Sequence, residues 1–163
     1  MTRNEKIDQI IFDKGILYGE CNLETIRGSY RKNQYAKIII LNSQLSPRQK
    51  FETKVHELMH DEHTTFDVSS SPAEIMRIEE GRIKRWEIKY LMPVDSLIEA
   101  FQRGYTTPLD LADFLEITPE KMCIRDSPCR ELQAALRHCQ GGRLCLTAHL
   151  LNPVRSYRTC LTV

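Results

Sequence analysis

A small α+β fold is what this sequence predicts, and three observations predict it. Ile7, Ile10 and Ile11 recur at helical spacing near the start, whereas residues 16–41 switch to short β-prone runs. From Ser46 onward the apolar residues return to helical spacing, broken by glycine and proline, until about residue 121. A helix, then a few strands, then a run of helices is the order of an α+β domain, in which one helix covers a small sheet.

Each element has its own warrant. The first helix, over residues 4–13, is stopped by Gly15, which accepts the backbone conformations a helix end demands. Ile16-Leu17-Tyr18 and Ile38-Ile39-Ile40-Leu41 read as strands of a small sheet, with Gly28-Ser29 as a turn between them. Ser46, with Pro47 behind it and Gln49 at the third position, is a capping-box start: the hydroxyl takes an orphan amide, and proline has no N–H to leave unpaired. The helix begun there carries Phe51, Val55, Leu58 and Met59 on an apolar side. A loop over residues 64–72 leads to a helix over 73–91, closed by Met92-Pro93. Two shorter helices follow, at 94–103 and 109–116, with Gly104 and Pro108 between them. Residues 1–93 are thus expected as the main domain and 94–121 as a helical C-terminal segment.

The helix from Ser46 carries His56-Glu57-Leu58-Met59-His60. Two histidines four apart stack on one helix face, so both imidazoles can grip one ion, and neutral imidazole nitrogen is a zinc ligand at roughly 2.0–2.1 Å. Glu57, beside the first ligand, lies where it can take a proton from a water at an open coordination position. A catalytic zinc needs a third protein ligand. His63 follows His60 by only three residues and lacks the longer glycine-containing spacer of a three-histidine site. The acidic pair Glu79-Glu80 on the next helix is the better source, reaching back if the two helices cross. Periodicity prefers Glu79, which falls on the stripe of Ile75, Ile78, Ile83, Trp86 and Tyr90, with Glu80 at its edge.

Composition narrows the class and splits the chain. A length of 163 residues with 41 % apolar content suits one domain with a real core. The charged start lacks a following apolar run of secretory length, so neither a signal peptide nor a membrane span is read and a cytoplasmic protein is expected. Formal charge is −3 over residues 1–121 and +4 over 122–163. All 9 lysines lie at or before Lys121, and five of the 6 cysteines lie after it. At this seam, Lys121-Met122-Cys123-Ile124-Arg125-Asp126-Ser127 looks like a translation of AAG ATG TGT ATA AGA GAC AG and one further base, the mosaic-end adaptor of transposase-based DNA libraries. Residues 122–163 are therefore expected to be an adaptor-derived or chimeric tail. Its cysteines and histidines show no C-x-x-C pair or zinc-finger spacing. With the tail set aside only Cys21 remains, which excludes a disulfide framework and suits a reducing compartment.

Over roughly residues 15–121 the chain resembles the ImmA/IrrE metallopeptidases of phages, integrative elements and bacterial stress systems. The strand at 38–41, the helix ending in Val55-His56-Glu57-Leu58-Met59-His60, and Glu80-Gly81-Arg82-Ile83-Lys84-Arg85-Trp86-Glu87 leading to Leu91-Met92-Pro93 carry the resemblance. Members place an acidic ligand six residues before the aromatic of that last segment, a register that lands on Glu80. Phage-type members continue as this chain does, through Leu97-Ile98-Glu99-Ala100, Gly104-Tyr105-Thr106 and residues 109–122. The family usually has alanine at position 83, Asn or Asp at 84 and alanine at 87, where this chain has Ile83, Lys84 and Glu87. An Asn or Asp there can orient a ligand; Lys84 accepts no hydrogen bond, so weak or absent activity is one expectation and a charge pair between Lys84 and a nearby carboxylate another. The resemblance implies a gluzincin-like fold with the sheet packed on the metal-binding helix. It further implies zinc held by His56, His60 and Glu80, Glu57 as the catalytic base, and a helix-turn-helix repressor of a mobile element as the protein substrate.

Two other classes compete. Leu109-Asp110-Leu111-Ala112-Asp113-Phe114-Leu115-Glu116-Ile117-Thr118-Pro119-Glu120 reads like the first helix and turn of a helix-turn-helix. The stretch is acidic, with no basic residue before Lys121, whereas DNA binding needs a cationic footprint, so a packing or docking pair is expected and no direct contact with nucleic acid. The other class is a metal-binding regulator without turnover.

Overall fold

The computed structural model describes residues 1–64 and 71–123, all within one compact unit, Met1–Ile124. The expected adaptor-derived tail lies outside the described residues from 124 on. Helix α1, Arg3–Asp13, is opened by a capping box in which Thr2 and Glu5 exchange side-chain and backbone hydrogen bonds. Its inward face is Ile7 and Ile11, both buried, and Gly15 at φ 64° turns the chain out of it into the sheet.

Three strands follow: β1, Ile16–Cys21; β2, Gly28–Lys32; and β3, Lys37–Asn42. Their order is β1-β3-β2, with β1 parallel and β2 antiparallel to β3. The central strand is the isoleucine run, and its alternation buries Ile39 and Leu41 completely. The turn expected at Gly28-Ser29 is instead the start of β2. Gly28 is there for close approach: a Cβ on it would stand 2.6 Å from Cγ2 of Thr53 and 3.0 Å from both Oε1 of Glu57 and Cδ2 of Leu41. The actual reversal is at Asn33, whose side-chain oxygen accepts from the amides of Tyr35 and Ala36.

Helix α2, Pro47–His63, is the spine of the domain and packs against α1, β2, β3 and α3, the helix that follows it. Ser46 and Gln49 form the expected capping box, with Pro47 in the first turn. Phe51, Val55, Leu58 and Met59 are buried, and so are four ionisable or hydroxyl residues, Glu52, Thr53, Lys54 and Glu57. Burial of charge is tolerated only with partners. Lys54 pairs with Asp8 of α1 at 2.5 Å, and Asp61 near the helix end accepts from Lys37 at 2.6 Å and from the Tyr30 hydroxyl at 2.7 Å.

Helix α3, Ala73–Leu91, packs a face rotated by part of a turn from the one its sequence suggests. Ile75, Ile78, Trp86 and Tyr90 of the apolar stripe are exposed, and only Ile83 of that set is fully buried. The inward row is Glu79, Ile83, Glu87 and Leu91, at strict four-residue steps. Two carboxylates displace isoleucines from the interior because each finds a cation or imidazole there: Glu79 meets Arg82 at 2.7 Å, and Glu87 meets Lys121 and His56.

The last helices are α4, Val94–Gln102; α5, Pro108–Phe114; and α6, Pro119–Cys123. Leu97, Ala100, Leu111, Ala112, Leu115 and Ile117 are buried between them and the rest. The helix-turn-helix-like pair α5–α6 is docked onto the start of α2: Arg48 reaches Asp113 at 2.7 Å and Glu52 accepts from the Thr118 amide at 2.6 Å. Arg3 of α1 donates to the carbonyls of Leu91, Tyr90 and Leu115, groups that helix ends leave without intrahelical partners. Among the described residues no helix is long and apolar enough to cross a membrane.

Candidate metal centre

The chemistry-bearing side chains stand where α2 and α3 cross, in a cleft of about 1080 Å³ whose other wall is β2. His56 and His60 lie one turn apart on α2, their ring centroids 5.0 Å from each other. Glu80 of α3 faces both: one carboxylate oxygen is 3.4 Å from Nε2 of His56, the other 3.1 Å from Nε2 of His60. One donor atom from each of the three residues falls within 4.8 Å of the others. Ligands at about 2.1 Å from a tetrahedral ion stand about 3.4 Å apart, so this donor set fits zinc in identity and in spacing.

Both imidazoles turn Nε2 inward because Nδ1 is held elsewhere. Nδ1 of His56 is 3.2 Å from Oε2 of Glu87, and Nδ1 of His60 is 3.2 Å from Oγ1 of Thr64, the residue that ends α2. Burial alone would lower the His56 pKa, but hydrogen bonds to Glu80 and Glu87 outweigh it and push the ring up to about 9. The same two histidines hold the Glu80 carboxyl well below the usual range. Without an ion, the His56–Glu80 pair thus carries its own opposite charges, and an arriving cation takes the place of a proton.

Glu57 is buried in the α2–β2 seam, and burial raises its pKa despite the neighbouring histidines and a hydrogen bond from the Tyr30 backbone. Tyr30 is fixed at its other end by its hydroxyl on Asp61, so β2 presents that amide to Glu57. A carboxylate whose pKa burial raises, next to a cation site, is better suited to take up a proton than an exposed one.

Of the residues singled out from sequence, the structure brings His56, His60, Glu57 and Glu80 to this one place. Glu79, which periodicity favoured as third ligand, is turned away and buried against Arg82; the apolar stripe that recommended it is not the packed face. His63 stacks on Trp86, centroids 4.3 Å apart, and takes no part. Lys84 is exposed at the cleft and, among the described residues, makes no ion pair. The charge partnership expected of it is made by Lys121, 2.5 Å from Oε1 of Glu87. Sequence reasoning missed Glu87, Thr64 and Tyr30 as parts of the site. The one available signal was spacing: Glu87 is seven residues beyond Glu80, two turns along the same helix face.

An α+β domain that brings two histidines of one helix to a glutamate of the next, with a second glutamate kept from water beside them, has the donor set of a metallopeptidase. The family model Peptidase_M78, the IrrE N-terminal-like domain, matches residues 13–127, and the chain belongs to this family. Membership implies metallopeptidase activity, typically zinc dependent, and the zincin-like fold agrees with the helices and three-stranded sheet described above. No curated protein matches the chain.

Proposed function

We propose that this chain is a zinc-dependent endopeptidase that cleaves a helix-turn-helix repressor of a phage or other mobile element. The observation that carries the enzymatic part is the convergence of Nε2 of His56, Nε2 of His60 and the Glu80 carboxylate beside buried Glu57. The repressor as substrate rests on the family resemblance and its phage-type order of segments from residue 97 to 122, and the cytoplasm as the place of action on Cys21 being the one cysteine before the seam. The acidic α5–α6 pair supports a protein partner without direct contact to nucleic acid.

His56, His60 and Glu80 would hold the zinc ion. Bound there, zinc supplies Lewis acidity, making a water a nucleophile at neutral pH and polarising a carbonyl. Glu57 accepts the proton of the attacking water and returns it to the amine that leaves, a task for which its raised pKa prepares it. Among the described residues β2 pairs only with β3, and its other edge lies along the cleft, so an extended peptide entering it would run beside a strand edge on which the Tyr30 amide is already held by Glu57.

Glu57→Gln tests the reading. The variant should bind one zinc per chain as the parent does, yet cut a candidate repressor at least a hundredfold more slowly. Unchanged cleavage would remove Glu57 from the chemistry, and absence of zinc from the parent would remove the metal.

A further inference from the structure

We propose that Glu87 is the positioning residue for His56, and that in this chain Lys121 of α6, the first residue of the adaptor-like string, holds Glu87 in that task and so raises the zinc affinity of the site. The inference rests on His56 being a zinc ligand. An imidazole offers Nε2 to a metal only when its proton is on Nδ1 and its ring plane is fixed, and a carboxylate on Nδ1–H does both. Glu87 meets these needs: its side chain is 1 % exposed, and Oε2 lies 3.2 Å from Nδ1 of His56. Glu80 touches both histidines whereas Glu87 touches only His56, so α3 runs back along α2 and delivers its two carboxylates to opposite nitrogens of one ring.

A buried carboxylate needs more than a neutral ring to keep it there. Lys121 supplies the rest, at 2.5 Å from Oε1, from a side chain that is itself only 16 % exposed. Lys84, the lysine of α3 one turn after Glu80, is exposed, and among the described residues no ion pair joins it to Glu87. Lys121 is placed by the turn in which Glu52 binds the Thr118 amide and Thr118 in turn accepts from the Lys121 amide at 3.3 Å. The line from α6 to the metal is therefore Lys121, Glu87, His56.

The experiment measures zinc dissociation constants of the full chain by competition with a chromophoric chelator, alongside melting of the zinc-free forms. Glu87→Leu should weaken zinc roughly 10- to 100-fold. Glu87→Gln, which keeps an acceptor for Nδ1–H, should restore affinity to within a few fold of the parent, and Lys121→Met should fall between the two. A folded Glu87→Leu chain that binds zinc as tightly as the parent overturns the inference, even if it melts earlier, because a purely structural role would lower the melting temperature alone. Nitrogen-15 NMR of the zinc-loaded parent decides the matter should the leucine variant not fold. His56 is expected with Nε2 ligated and a slowly exchanging proton on Nδ1; ligation through Nδ1, or a freely exchanging proton there, overturns the assignment. A parent that binds no zinc overturns the metal reading as well, whereas equal binding by parent and variant overturns only this inference.

Discussion

Two adjacent glutamates, Glu79 and Glu80, show how much a single residue's direction decides. A shift of one position on a helix rotates a side chain by about 100°, which turns Glu80 to the histidines and Glu79 to Arg82. Glu80→Gln should lose zinc affinity by an order of magnitude or more in a chelator competition, while Glu79→Gln should change it little; equal losses would place the third ligand elsewhere. At the same scale, the zinc-free protein has a pH signature. The folded-state pKa of His56 is raised from 6.5 to about 9, so its proton stabilises the fold fully below about pH 6.5, and that contribution is lost as pH climbs through 9. Urea melts of chelator-treated protein should show stability falling across this interval. Zinc affinity should rise over the same interval, because the ion competes with that proton. A zinc-free stability that is flat from pH 6.5 to 9 would contradict the charged His56–Glu80 pair.

At the scale of elements, the site depends on how closely β2 lies against α2. Gly28→Ala puts a Cβ into Thr53 and Glu57 where there is no room. Thr53 cannot easily swing aside, since its branched side chain donates a 2.7 Å hydrogen bond to the Gln49 carbonyl. The expected cost is about 1–3 kcal/mol of stability, as for other overpacked cores, together with slower cleavage at unchanged zinc content, because Glu57 and not a ligand is displaced. Denaturant melts and a zinc assay on one preparation check both halves. The start of α2 can be tested independently. Ser46→Ala removes the acceptor for the Gln49 amide and should cost about 1 kcal/mol, with no loss of zinc affinity, since the histidines lie at the other end of the helix.

At the scale of the molecule, the binding residues come from separate helices, so the ion ties α2 to α3 and stabilises by mass action. With free zinc at about 1,000 times its dissociation constant, the gain is about 4 kcal/mol, which His60→Ala should abolish. A melting temperature indifferent to zinc would count against a shared site. The packing of α5 and α6 on α2, through Arg48, Glu52 and the Lys121–Glu87 pair, makes the chain up to residue 124 the unit to compare with the full chain. The tail expected from residue 122 on begins inside α6, where Met122 is buried, so the cut falls after it; ending the chain there is expected to change melting and zinc affinity little, and a drop of several degrees would give the remaining residues a part in the protein.

Sequence by itself determined what depends on near neighbours. The isoleucine run of β3, the cap at Ser46, the helix limits at Gly15 and Pro93, and the pairing of His56 with His60 all follow from spacings of a few residues, where backbone geometry leaves one good solution. Only tertiary structure decided which face of α3 turns inward. Hydrophobic spacing pointed to the stripe of Ile75, Ile78, Trp86 and Tyr90, whereas the packed row holds two glutamates, because their partners come from α2, α6 and a neighbouring turn of the same helix. Gly28 is the same lesson on a strand: it reads as a turn until α2 is laid against it. A buried carboxylate is permitted by charges and donors that meet it in space, and contacts such as Glu87 with Lys121, thirty-four residues apart in the chain, leave no mark in local periodicity.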